Sequence, residues 1–308
     1  MNSISAQREP LVPAAAFETD DPLMLLEFLR ASLADGVPAA LVTLVEVRGG
    51  SARPVGAQMV VRADGFYCGF VSGGCTEAAI AGEALQALES GQDRFLKLGE
   101  GSPFFDIVLP CGGGITLSIH VVSSLCPIND VLARLAARQP AALCYDPGRK
   151  ILAAIDDADV TGWHGDTFVT IYLPKTRLLV LGRSLEVSIM SRLAEAAGYD
   201  VIVADDGVSR PKIDHNLDRN SAVALLYHDL DRELPLLRAA LDASPFYIGA
   251  LGSQRTHERR CEALRDLGYG EADIARIKAP IGIFGKARDA TSLAISVLAD
   301  IASSRKGM

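Results

Sequence analysis

The chain has 308 residues, is 49% apolar and 22% charged, and carries a formal net charge of −8 from 30 Lys and Arg against 38 Asp and Glu. That length predicts two domains rather than one, and the composition excludes a disordered chain or a highly charged coiled coil. The acidic balance, with no dense Lys/Arg run, argues against nucleic acid as a partner, and no apolar stretch approaches the ~18 residues of a membrane span.

Residues 1–19 read as a loose leader without a basic-then-apolar signal. Asp20-Asp21-Pro22 is a helix start, with an acidic cap and Pro in the first turn, and the helix runs through Leu25, Leu26 and Leu29 to Gly36. A strand over 40–47 leads into the loop Gly49 to Gly56. Strands over 58–62 and 66–70 flank the turn Ala63-Asp64-Gly65 and predict a hairpin. Ser72-Gly73-Gly74-Cys75 is a second loop, opening an Ala/Leu/Glu helix that ends near Gly91. A strand over 94–98, a third loop Pro110-Cys111-Gly112-Gly113-Gly114, a strand over 115–122, a helix over 128–138 and strands over 141–145 and 150–155 follow. Residues 20–155 therefore read as a mixed α/β domain and 156–175 as a linker, with the boundary near Pro174. The remainder, 176–308, alternates strand and helix, which predicts a parallel, doubly wound, Rossmann-like sheet.

None of the six cysteines forms a CxxC pair, so the expectation is a reduced, cytoplasmic protein rather than a disulfide scaffold. Cys68, Cys126, Cys144 and Cys261 read as small buried hydrophobes. Cys75 and Cys111 differ, because glycines beside them leave room for a ligand. Cys75 also precedes a helix, whose positive end favours a thiolate. The alternative for both is ordinary burial. Two thiolates would suit a soft metal, or one could accept sulfur. Arg48, Ser51, Arg53 and Gln58 flank the first loop in a pattern suited to a polar anionic ligand, or to a solvated turn. Glu46 could pair with either Arg48 or Arg53.

In the second half, Gly182 ends a strand where a dinucleotide fold places its phosphate loop, and Asp205, 23 residues on, suits a ribose carboxylate. Ser184 and Val187 replace the second and third glycines of the G-x-G-x-x-G pattern, so a Rossmann-like scaffold without nicotinamide competes with an NAD(P)-dependent oxidoreductase. Gly249, Gly252, Ser253 and Arg255 form a second candidate anion site at a strand end. The alternative there is a Ser253 cap with Arg255, Arg259 and Arg260 on a solvated face.

Taken in order, Gly49-Gly50-Ser51-Ala52-Arg53-Pro54-Val55-Gly56-Ala57, Ser72-Gly73-Gly74-Cys75-Thr76-Glu77 and Cys111-Gly112-Gly113 resemble the first domain of the xanthine dehydrogenase accessory (XdhC/CoxI) family. Tyr247-Ile248-Gly249-Ala250-Leu251-Gly252-Ser253-Gln254-Arg255 and Ala279-Pro280-Ile281-Gly282 resemble its Rossmann-like second domain, so the likeness spans about 23–301. The resemblance implies a chaperone that binds the molybdenum cofactor, in molybdopterin form with or without a nucleotide. It implies help in replacing a terminal oxo ligand by sulfido, and delivery to an apo molybdenum hydroxylase of the xanthine or aldehyde dehydrogenase or CO dehydrogenase type. A cysteine desulfurase as sulfur donor and a homodimer belong to the same expectation. Cys75 is then the reacting thiol and, with Cys111, a metal ligand. Arg53, Gln58, Gly73, Gly74, Gly112, Gly113, Gly182, Ser184, Asp205, Gly252, Ser253 and Arg255 contact the cofactor, in a cleft between the domains. No acid–base pair for turnover is evident, which suits a carrier better than an enzyme. Two stretches depart from the family pattern and bear on nucleotide binding: the loop 182–187, and Ala287-Arg288-Asp289-Ala290 in place of a Thr-Pro-Glu-like helix start.

Overall fold

The computed structural model describes residues 11–74, 76–100, 112–156, 158–182, 184–204, 217–284 and 287–305. The chain divides into two compact units, Met1–Leu173 and Pro174–Met308.

The first unit opens with β1 (Ala14–Ala15) and α1 (Pro22–Ala34), whose Asp21 cap accepts from the Leu23 N–H at 2.9 Å. β2 (Ala39–Arg48), β3 (Gln58–Arg62) and β4 (Phe66–Gly69) form an antiparallel meander, with Gly65 at φ +90° in its second turn. α2 (Glu77–Ser90), β5 (Arg94–Gly99) and β6 (Gly114–Val121) complete a six-stranded sheet of order β1-β4-β3-β2-β6-β5. α3 (Cys126–Ala136) follows. β7 (Ala141–Asp146), β8 (Ile151–Ile155), β9 (Gly162–His164) and β10 (Thr167–Tyr172) then build an antiparallel sheet of order β8-β7-β10-β9.

The near-continuous apolar run of β2 follows from burial on both faces. Ala40, Val42 and Leu44 pack with Ile80, Ala81 and Ala84 of α2. The alternate residues Ala39 and Leu41 pack with α1, α3 and the second sheet, through Leu26, Val131 and Tyr172. At Leu44–Glu46 the register with β6 shifts, so that Glu46 lies opposite Thr116. A bulge of this kind re-aims the side chains beyond it.

Two sequence expectations need correction here. Part of the leader is structural: β1 pairs in parallel with β4, the Ala14 N–H reaching Gly65 O at 3.0 Å, because an edge strand offers unpaired backbone groups. The segment read as a linker carries β9 and β10, and β10 lies inside its sheet. Its glycine and polar residues mark a hairpin turn, with Gly165 at φ +63°.

The second unit is a parallel five-stranded sheet: β11 (Arg177–Leu181), β12 (Asp200–Ala204), β13 (Ser221–Leu225), β14 (Tyr247–Ala250) and β15 (Ile277–Lys278), in the order β12-β11-β13-β14-β15. Its described helices are α4 (Leu185–Ala196), α5 (Leu230–Ala243), α6 (Gln254–Asp266), α7 (Glu271–Ile274) and α8 (Ala290–Arg305). α4 and α8 cover one face through Met190, Ala194, Ala294 and Val297. α5 and α6 cover the other through Leu237, Ala240 and Leu264. The expected Rossmann-like sheet, wound on both faces, is what the chain forms.

Candidate functional site

Three of the glycine loops meet on the first unit. A Cβ on Gly113 would lie 2.3 Å from Gly50 O and 2.5 Å from Arg48 O, so only glycine allows the third loop to close on the first. A Cβ on Gly73 would meet that of Ala52 at 2.8 Å, which brings the second loop against the first as well. Gly73 and Gly74 hold φ +95° and +104°, and nothing lies within 4 Å of the Gly74 Cβ direction. Gly112 also faces open space. Cys75, the thiol expected to react, and Cys111, expected with it as a metal ligand, lie outside the described residues, as does Asp205.

The second loop is wrapped around a carboxylate. Glu77, at the start of α2, is 2% exposed. Its Oε1 accepts from the N–H groups of Val71 (3.1 Å), Ser72 (2.9 Å) and Gly73 (3.1 Å). Its Oε2 accepts from Ser72 Oγ at 2.8 Å and from the Thr76 N–H at 3.2 Å. Burial would push this carboxyl up, but the donors on the Ser72–Gly74 turn and the helix end outweigh it and hold it below the ordinary 4.5. In the sequence Glu77 is only an acidic residue at the start of a helix. The carboxylate therefore takes up loop amides and the Thr76 N–H at the cap of α2.

Arg48 and Arg53 do different work. Arg48 donates to Glu46 at 2.6 Å, Thr116 Oγ1 at 2.7 Å and Glu100 O at 3.2 Å, tying the first loop to β6. The bulge makes this possible by placing Glu46 beside Thr116, and it settles Glu46 on Arg48. Among the described residues Arg53 has one ion-pair partner, the exposed Asp20, at 3.3 Å, and its buried Nε has no hydrogen-bond partner. The guanidinium borders two chambers. An outer one of about 350 Å³ includes Thr19, Asp20, Phe70 and Gly73. An inner one of about 340 Å³ runs from Asp20 and Arg53 to Gln58, Thr170 and Tyr172. Gln58 is buried, its amide donating to Thr43 Oγ1 at 3.2 Å and accepting from the Tyr172 hydroxyl at 2.7 Å.

On the second unit the order β12-β11-β13 places a topological switch point between β11 and β13, where open α/β sheets bind ligands. Gly182 ends β11 at φ +141°, and a Cβ there would lie 2.9 Å from Leu226 O, so close strand approach accounts for this glycine. Ser184 precedes α4 in extended backbone, and among the described residues its hydroxyl makes no cap bond. Ser253 caps α6, accepting from the Thr256 N–H at 3.3 Å. Gly252 packs on Thr256, and Gly249 lies under Ile281. Arg255 is exposed. Arg260 corrects the expected solvated face: it is fully buried, donating to Glu233 at 2.5 and 3.0 Å and to Leu251 O at 2.8 Å. Helical spacing puts it beside Cys261 and Leu264 on the inner side of α6.

Sequence reasoning also missed Asp93, buried among His120 Nδ1 (2.7 Å), the Tyr145 hydroxyl (2.9 Å) and the Val121 N–H (2.9 Å). The available signal was Ser118 and His120 alternating with Leu117 and Ile119 along β6. Of the remaining cysteines, Cys68 is buried and its thiol is pushed up to about 12 by burial. Cys261 is buried too, but Cys126 is exposed at the start of α3, contrary to expectation, because it lies at a helix end outside the packed stripe. Among the described residues no group of three or more His, Cys, Asp and Glu could hold a metal ion, and no helix is long and apolar enough to cross a membrane.

Comparison with known proteins places this geometry. The XdhC and CoxI family model matches residues 32–99, which include the first two loops, and the XdhC Rossmann domain model matches residues 178–301. The chain is 53% identical to the molybdenum cofactor insertion chaperone PaoD of Escherichia coli, over 95% of this chain and 92% of that protein. It is 28% identical to the uncharacterized protein YqeB of the same organism, over 86% of this chain and 43% of that one. A crystal structure described as a xanthine dehydrogenase from Bacillus halodurans shares the fold, with TM-score 0.73 at 21% identity, covering 93% of this chain and 96% of that one. With two domain models matched in order and a relative this similar over nearly its whole length, the chain belongs to the XdhC and CoxI family.

Proposed function

We propose that the chain carries the molybdenum cofactor on the three-loop face of its first unit and inserts it into an apo molybdenum hydroxylase. The observation that carries this reading is the contact of loops 72–74 and 112–114 with the first loop, 48–53, whose Arg53 borders two chambers, one of them reaching Gly73. Open glycine backbone and a guanidinium suit the phosphate of a molybdopterin, and thiols from Cys75 and Cys111 suit its metal. The residues present fit such cargo: Arg53 Nε and, on the cysteine loop, Thr76 Oγ1 are buried polar atoms with no hydrogen-bond partner among the described residues. The 53% identical chaperone supports the same assignment. In this reading the protein is a cytoplasmic homodimer that holds the cofactor while a cysteine desulfurase supplies sulfur.

The test is anaerobic loading with cofactor released from a molybdenum hydroxylase, followed by molybdenum and pterin analysis and transfer to the apoenzyme. The expected outcome is near-stoichiometric pterin and molybdenum and recovery of client activity. Loading no better than that of an unrelated protein would contradict the proposal.

A further inference from the structure

We propose that the inner chamber of the first unit receives the pterin head of the cofactor, with Gln58 reading the amide-like edge of the ring. This rests on the carrier reading above and assigns a subsite within it. The chamber, about 340 Å³, lies within the size range of small-molecule pockets. Its walls are apolar at Leu25, Pro54 and Phe70, which suits the faces of a flat heterocycle. Its polar end is Gln58, buried and fixed in one sense. Burial pushes the Tyr172 hydroxyl far above its usual range, so it stays protonated and donates to the amide oxygen. The amide nitrogen faces Thr43. Each half of the amide has capacity for two hydrogen bonds and makes one among the described residues, which leaves one N–H and one carbonyl lone pair for a ligand. That adjacent donor and acceptor form the pattern by which a glutamine amide pairs with the edge of a nucleobase, and a pterin presents the same kind of edge.

The second end of the ligand has a place as well. Arg53, Asp20 and Phe70 border both chambers, and the outer chamber reaches Gly73 of the cysteine loop. A ligand whose ring fills the inner chamber can therefore pass its phosphate by Arg53 and extend its metal toward the cysteine loop. All residues of this assignment belong to the first unit.

The experiment is an equilibrium titration of full-length protein with cofactor released anaerobically from a molybdenum hydroxylase, reading bound pterin by fluorescence after oxidation, with melting temperature measured in parallel. Gln58→Glu keeps an oxygen for Tyr172 but removes the N–H left for the ligand. Val55→Trp fills the chamber from a position that is 37% exposed, so it leaves the packed core untouched. Each variant is expected to weaken pterin binding at least tenfold. If Gln58→Glu fails to fold, Val55→Trp alone decides. Wild-type binding that persists undiminished in folded variants overturns the subsite and leaves the carrier reading standing. No binding by wild-type protein overturns both.

Discussion

Glu77 sets the conformation of the cysteine loop more than any other described side chain. Removing its carboxylate strands donors from Val71, Ser72, Gly73 and Thr76 in a buried setting. Hydrogen bonds to a charged group are worth about 1.5–3 kcal/mol each, and the losses are not additive, so Glu77→Ala should cost on the order of 3 kcal/mol in chemical denaturation. The carboxyl is held below its ordinary 4.5, so as pH falls the unfolded chain binds this proton first. Its stabilisation is therefore complete above about pH 4.5 and lost as pH drops through the lower folded value. Glu77→Gln should flatten the acid limb of a stability–pH profile, and an unchanged limb would count against the network. The sequence displayed the glycines and the thiol of this loop but not the carboxylate that organises it. Glu77 looks like any first-turn acid until its burial is known.

At the level of elements, the first and third loops are joined by backbone rather than side chains. Gly113→Ala places a methyl against Gly50 O and Arg48 O and must part them. We expect Gly113→Ala to reduce cofactor retention severalfold, measured as bound pterin, while Gly112→Ala, which faces open space at φ +69°, strains only its own backbone. Equal losses in the two variants would show that contact between the loops is not the cause. α5 and α6 are joined differently, by the buried Arg260–Glu233 pair. Breaking such a pair typically costs about 3–5 kcal/mol, because a lone charge stays buried, whereas replacing both partners by apolar groups is often neutral. Arg260→Met should accordingly be strongly destabilising, and adding Glu233→Leu should recover most of the loss in urea denaturation. Element types were legible because β-branched runs, Asp21-Pro22 and the glycine stops state them directly. The errors came where composition misled. Gln254-Arg-Thr-His-Glu-Arg-Arg260 is so polar that its inner face disappears, and the glycine and polar residues of the expected linker hid the hairpin of β9 and β10.

Across the whole molecule, each unit has its own packed layers: α2 and the α1/α3 side flank the first sheet, and α4/α8 and α5/α6 flank the second. The account predicts two calorimetric transitions, with Glu77→Ala shifting one and Arg260→Met the other; a single transition moved by both would contradict it. The doubly wound second unit could be read from strand–helix alternation, which only a parallel sheet satisfies. The meeting of the three glycine loops could not, since Gly50, Gly73 and Gly113 are far apart in sequence and only the β2–β6 register and the α2 entry bring them together. The claim on which the rest depends is that this loop face holds the metal end of the cofactor through Cys75. The most direct test is molybdenum bound per chain, after anaerobic loading, in wild-type protein and Cys75→Ser at matched melting temperature. We predict a several-fold loss of molybdenum with the melting temperature unchanged, because oxygen is a poor ligand for a soft metal site. Equal loading of the two proteins would contradict the account.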